Sequence, residues 1–192
     1  MLVIVTRLHI KKQNLYSERN EEKREEFREI LEQLELDGAS VVWVDEVGID
    51  EYYHRTHGRA PAGEKVIGEI PGKKYERTNI VAGLSQGKVV APFEYKGTTN
   101  SVLFEYWFEH QLLSTIMPNS VISLDNASFH RKSVLLELAA KKDCIVVFIP
   151  AYSPDLNPIE TTVWANLKNF LRNYMKLYDS LRDAVSEFFQ FK

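Results

Sequence analysis

The chain has 192 residues, a net charge of −3, a hydrophobic share of 44% and aromatics at 11%. That length and apolar content suit one compact domain with a real core and exclude wholesale disorder. The mildly acidic balance argues against a surface that grips nucleic acid everywhere, the longest apolar runs are too short for a bilayer, and a lone cysteine, Cys144, excludes an internal disulfide.

The start, Met1-Leu2-Val3-Ile4-Val5-Thr6-Arg7, reads as a short strand or an unstructured beginning. It lacks the order of a signal peptide, and with a buried, inert Cys144 a reducing cytoplasm is expected. Residues 18–36 read as a helix, with Phe27, Ile30, Leu31 and Leu34 on one apolar stripe and Asp37-Gly38 as its stop. Residues 40–46 form a buried strand, because Val41-Val42-Trp43-Val44 runs without polar alternation.

Residues 47–77 differ in kind: glycines and prolines mix with tyrosines and basic side chains. A loop that long inside a compact domain points to function. Residues 78–84 and 88–95, joined by Ser85-Gln86-Gly87, make an antiparallel hairpin. Thr99 or Asn100 caps a helix to about 114, with Val102, Leu103, Tyr106, Trp107 and Leu113 facing inward. A strand at 120–125, a helix from Ser133 to Lys142 and a strand at 145–149 follow. The turn-rich Pro150 to Pro158 leads to a helix over 158–176 and a last helix over 179–190. The expected class is α/β, a mixed five-stranded sheet flanked by helices. The first three strands are antiparallel neighbours, and the last two are added in parallel through right-handed crossovers. The expected divisions are an N-terminal segment with an amphipathic helix (1–38), a catalytic domain (39–178) carrying the 47–77 insertion, and a C-terminal helix (179–192).

Three acids stand out. Asp45 ends the Val41–Val44 run, Asp125 ends Val121-Ile122-Ser123-Leu124, and Glu160 follows Ser153-Pro154-Asp155-Leu156-Asn157-Pro158-Ile159, where a helix begins. Two carboxylates at neighbouring strand ends and one on a late helix can converge on a divalent metal. Without a cation, each like-charge pair about 4 Å apart costs roughly 4 kcal/mol at an effective dielectric near 20. Oxygen ligands favour Mg²⁺ or Mn²⁺ over Zn²⁺, and two such ions suit phosphodiester cleavage. Each acid also has a plain structural reading. Asp45 closes a turn, Asp125 with Asn126 makes a turn or caps the next helix, and Glu160 completes a capping box with Asn157 behind Pro158. Glu46 competes with Asp45, since side chains alternate along a strand; Asp45 shares its face with Trp43 and Val41 and is preferred.

The segments Trp43-Val44-Asp45-Glu46, Leu124-Asp125-Asn126-Ala127-Ser128-Phe129-His130 and Pro150-Ala151-Tyr152-Ser153-Pro154-Asp155-Leu156-Asn157-Pro158-Ile159-Glu160 resemble the mariner-like DDE transposases, in particular the branch of bacterial insertion sequences. The 34 residues between Asp125 and Glu160, and Trp164 and Lys168 after them, fit that pattern. The resemblance implies a ribonuclease-H-like fold and a metal-dependent endonuclease and strand transferase. It makes Asp45, Asp125 and Glu160 the catalytic ligands of two Mg²⁺ or Mn²⁺ ions. Asn126 and His130 then have a supporting role, a hydrogen bond to substrate or to a metal-bound water. The implied partner is DNA, met by Arg55, Arg59, Lys73, Lys74, Arg131 and Lys168. Residues 47–77 occupy the place of an insertion that contacts a partner subunit, so a dimer contact or a DNA contact is expected there, and the chain is expected to form a homodimer. Nothing ahead of Asp45 resembles the family's paired helix-turn-helix units. A split reading frame with a separately encoded recognition protein, a fragment and a decayed copy are the corresponding expectations. The alternatives in function are a non-catalytic binding module of the same fold and a different ribonuclease-H-like nuclease such as a resolvase. No membrane association is expected.

Overall fold

In the computed structural model, residues 16–50, 61, 65, 67 and 77–190 are described. A five-stranded sheet has the order β3-β2-β1-β4-β5. Its strands are β1 (Val41–Asp50), β2 (Arg77–Ser85), β3 (Lys88–Lys96), β4 (Val121–Leu124) and β5 (Ile145–Phe148). β1, β2 and β3 are antiparallel neighbours, β4 adds to β1 in parallel, and β5 adds to β4 in parallel, the mixed sheet expected from the sequence. Among the described residues no helix is long and apolar enough to cross a membrane.

Helix α1 (Glu21–Leu36) starts at Asn20, whose side chain accepts the Lys23 N–H at 3.0 Å. Phe27 and Leu31 pack with Val41, Val121 and Ile149. Ile30, placed on the apolar stripe by periodicity, is instead 42% exposed, and Arg24 takes the inward position. Its guanidinium donates two hydrogen bonds to Asp155, at 3.0 and 2.7 Å. That fork lets a charged residue lie buried, and it fastens α1 to the turn-rich segment before Glu160.

β1 runs on to Asp50, so Asp45 lies mid-strand and not at its end. The reason is the long antiparallel ladder with β2, which holds β1 from Val42↔Ser85 to Asp50↔Arg77. The insertion therefore begins beyond Asp50, and most of it lies outside the described residues. The β2–β3 hairpin turns at Gln86 (φ 50°) and Gly87 (φ 75°), two successive left-handed residues as its tight turn requires.

Helix α2 (Ser101–Trp107) is capped by Asn100, which accepts the Leu103 N–H at 3.0 Å. It continues through a π-helical turn (Phe108–Leu112) into a last α-turn (Leu113–Thr115). Phe104, Trp107, Phe108, Leu112 and Leu113 are buried beneath the sheet, whereas Val102 and Tyr106, expected inward, are exposed. An apolar residue on nearly every face of this segment left the direction of the core open to misreading. α3 (Lys132–Ala140) covers the same core through Leu135 and Ala139. On the other face, α4 (Ala165–Tyr174) and α5 (Leu181–Gln190) pack a second core, with Trp164, Leu167, Leu171, Val185 and Phe188 against Val47, Ile49, Ile80 and Ala82.

The Trp107 indole N–H donates to the Ala91 carbonyl at 2.8 Å, where the β2–β3 register slips and Ala91 adopts φ 48°. Trp107→Phe removes that donor inside a closed core. We expect a loss of about 2–4 kcal/mol, read as a lower urea midpoint at unchanged slope; an unaltered midpoint would show that the indole bond contributes nothing.

Candidate metal centre

The parallel β1–β4 pairing sets the site. Its register is Val41↔Val121, Val42↔Ile122 and Trp43↔Ser123. Continued one step of the strand repeat, it brings Asp45 level with Asp125 on the same side of the sheet. The third acid comes from the segment after β5. Asn157 donates through Nδ2 to the Val44 carbonyl at 3.2 Å and so seats the helix start beside Asp45. The expected capping box does not form: Asn157 Oδ1 has no hydrogen-bond partner. A π-helical turn, Glu160–Trp164, precedes α4 in its place. Such turns recur at functional sites because they re-aim side chains.

Asp45, Asp125, Asn126 and Glu160 line one cavity of about 540 Å³, with Tyr16, Tyr152 and Ser153 among the other walls. Asp45 Oδ2 accepts the Trp164 indole N–H at 3.0 Å, and Trp164 is fully buried. Asp125 Oδ1 accepts the Ala127 N–H at 3.0 Å, the turn expected after β4. Lys168 Nζ lies 3.8 Å from Glu160. Arg131 forks onto Glu105, so its charge is already engaged by an acid. Arg55, Arg59, Lys73 and Lys74 lie outside the described residues.

His130 is not on the cavity wall. Its side chain is 1% exposed, with Nδ1 3.3 Å from Asp125 Oδ1 and Nε2 3.5 Å from Glu46 Oε1. Glu46, passed over for Asp45, points the other way along β1 as alternation requires and meets His130. Its part was missed because nothing in the local pattern around residue 46 announces a buried histidine partner 84 residues away.

The electrostatics follow from this crowding. Burial, followed by the shared contact with Glu160 and the charge of Glu46, pushes the Asp45 carboxyl up to about 8. Burial likewise raises Glu46, against the opposing pull of His130. Burial resists charge on Asp125 too, but the His130 and Ala127 donors outweigh it and hold that carboxyl below its usual range. For His130 burial favours the neutral ring, yet Asp125 and Glu46 prevail and lift it to about 9. Burial and the neighbouring Glu160 thus favour the protonated form of Asp45. A divalent cation would relieve the same repulsion, and the three carboxylates on the cavity wall fit Mg²⁺ or Mn²⁺.

These shifts make a prediction about stability. Asp45 holds its proton far more tightly folded than unfolded, so its ionisation penalises the fold increasingly from about pH 4 to pH 8. His130 stabilises fully below its unfolded value of 6.5, and that contribution fades as pH rises through about 9. Both act in one direction. Metal-free protein should melt on the order of 5 °C lower at pH 8.5 than at pH 6, and Mg²⁺ should recover more at the higher pH. Thermal melts with and without chelator check this; a melting temperature rising with pH contradicts it.

The family model of DDE superfamily endonucleases matches residues 40–182. No curated protein sequence matches the chain. Among solved structures, the pre-cleavage Mos1 transpososome is similar at TM-score 0.73 and 17% identity, over 98% of this chain and 61% of that one. The mariner Mos1 paired-end complex with Mg is similar at TM-score 0.72 and 19% identity, over 95% and 59%. The catalytic domain of Mos1 mariner transposase is similar at TM-score 0.62 and 17% identity, over 95% and 86%. The chain spans about 60% of the length of the transpososome proteins that it matches. At these identities the likeness establishes the fold, a mixed sheet flanked by helices like that of the Mos1 catalytic domain. The family follows from the match over residues 40–182: the chain belongs to the DDE superfamily endonucleases.

Proposed function

We propose that this chain is the catalytic domain of a DNA transposase, of the bacterial insertion-sequence branch, that cleaves phosphodiesters at element ends and joins the freed ends to target DNA. The observation that carries the reading is one cavity lined by three acids from three distant segments, Asp45, Asp125 and Glu160. The solved structures of similar fold are transposase complexes with Mn and with Mg, and one is a strand-transfer complex.

In this reading Asp45, Asp125 and Glu160 would together hold two divalent cations. When bound, Mg²⁺ or Mn²⁺ supplies charge neutralisation at the phosphoryl oxygens and acidifies the attacking hydroxyl or water. The protein's share is placement. Trp164 holds the Asp45 carboxylate, the Ala127 N–H and His130 hold that of Asp125, and the π-turn aims Glu160. Asn126, on the cavity wall, offers an amide to the phosphate backbone, and Lys168 adds positive charge beside Glu160. In the first step a water oxygen bonds to phosphorus and the P–O3′ bond breaks, leaving a free 3′-hydroxyl. In the second, that hydroxyl attacks a target phosphodiester in line and displaces a strand end. DNA is the partner. A second copy of the chain is proposed to complete the assembly, and a separately encoded helix-turn-helix protein to supply recognition of the ends. The cytoplasm is the proposed compartment.

The test is Mn²⁺-dependent nicking and strand transfer on supercoiled DNA. Asp45→Asn, Asp125→Asn and Glu160→Gln should each lower both steps by about 10³-fold or more, with DNA affinity largely kept. An undiminished rate in Asp125→Asn would reject the assignment.

A further inference from the structure

Behind the cavity lies Glu46, an acid to which the proposed chemistry gives no part. Glu46, Asp125 and His130 offer ligand-type atoms within 4.8 Å of one another. The arrangement does not suit a shared cation. His130 turns Nε2 to Glu46, at 3.5 Å, and the opposite nitrogen, Nδ1, to Asp125, at 3.3 Å. A ring that spans two acids with its two nitrogens links them; it does not aim both at a common centre. Nδ1 also lies 3.3 Å from the Asp125 carbonyl, so the ring reads the backbone as well as the carboxylate.

The ring has little freedom to do otherwise. Phe104 and Phe129 close on it with centroids at 4.2 and 4.4 Å. Glu46 Oε1 and His130 Nε2 are both buried and have no hydrogen-bond partner, and the nearest charged group each faces is the other, at 3.5 Å. Glu46 itself is fixed by the β1–β2 ladder, opposite Val81. A rigid path therefore runs from the middle of β1 through an imidazole clamped by two phenyl rings to the carboxylate at the end of β4. The Asp125 side chain is half exposed on its cavity side, which leaves one edge for a ligand.

We propose that Glu46 and His130 form a positioning pair that holds Asp125 from behind, so that its free edge is presented to a divalent cation in the cavity. The inference rests on the reading of Asp125 as a metal ligand. Partners that orient a ligating side chain commonly set metal affinity without touching the metal.

Calorimetric titration with Mn²⁺ tests it on wild type, Glu46→Ala, Glu46→Gln, His130→Ala, His130→Gln and the double alanine variant. The alanine variants should bind Mn²⁺ about 10- to 100-fold more weakly at unchanged stoichiometry. The double variant should be no worse than the weaker single one, since the pair acts as a unit. Glu46→Gln keeps an oxygen for the ring and should stay within a few-fold of wild type. Ring ¹⁵N shifts of His130 supply a readout without metal: Glu46→Gln should move Nε2 and Asp125→Asn should move Nδ1. Should His130→Ala fail to fold, Glu46→Ala and His130→Gln carry the same comparison. Unchanged affinity in folded alanine variants overturns the pair. Loss of one bound ion in Glu46→Ala also overturns it, by making Glu46 a ligand. No Mn²⁺ uptake by wild type overturns the metal reading and the pair together, whereas normal uptake with unaffected variants overturns the pair alone.

Discussion

The β1–β4 register is the constraint on which the site depends. Parallel pairing of Trp43 with Ser123 makes the next same-face positions Asp45 and Asp125. A slip of one residue would turn one carboxylate to the opposite face. The hydrophobic pattern defends the register from both sides. Val42, Val44, Ile122 and Leu124 bury on the face covered by α2 and α3, while Val41 and Val121 pack under α1. A core that stabilises the fold thereby fixes the spacing of two acids that repel each other.

The third acid reaches the cavity by another route. The segment between β5 and α4 has no strand to hold it, and it is fastened by side chains instead. Arg24 forks onto Asp155 from α1, and Asn157 donates to the Val44 carbonyl on β1. Both contacts join residues more than 100 positions apart, so α1 takes part in placing Glu160 although it contributes no side chain to the acids. The buried Arg24 is thus better understood as a support for the loop than as a stabilising ion pair, since burial of such a pair returns little net free energy.

Much of this was legible in the residues, and the gaps have physical causes. Strand order followed from short unbroken apolar runs, a two-residue turn and the lengths of the connections. Asp45 and Asp125 stood where such runs end and Glu160 where a helix begins, and all three do line one cavity. What stayed hidden depends on contacts remote in sequence. Asp45 lies mid-strand because β2 pairs with β1 well past it. Tyr106 and Val102 look outward because Phe104, Trp107 and Phe108 take the inward face of a segment that is apolar nearly all round. Asn157 and Glu160 match a capping box perfectly by spacing, yet Asn157 is drawn away by a carbonyl on β1. Glu46 shows the limit of the alternation rule: it excludes a residue from the cavity but not from the structure behind it.

The π-turn at Glu160 connects these points. Its Thr161 and Thr162 hydroxyls donate back to the Pro158 carbonyl, just ahead of it, at 3.2 and 2.6 Å. What the turn achieves is a double approach to Asp45. The Trp164 indole holds one carboxylate oxygen at 3.0 Å while Glu160, from the start of the same turn, crowds that group. One short segment therefore both steadies the first acid and raises the repulsion that a cation would relieve. Hydrogen-bond geometry and charge arise there from the same few residues, Pro158 to Trp164, and the proposed divalent-metal site would draw on both.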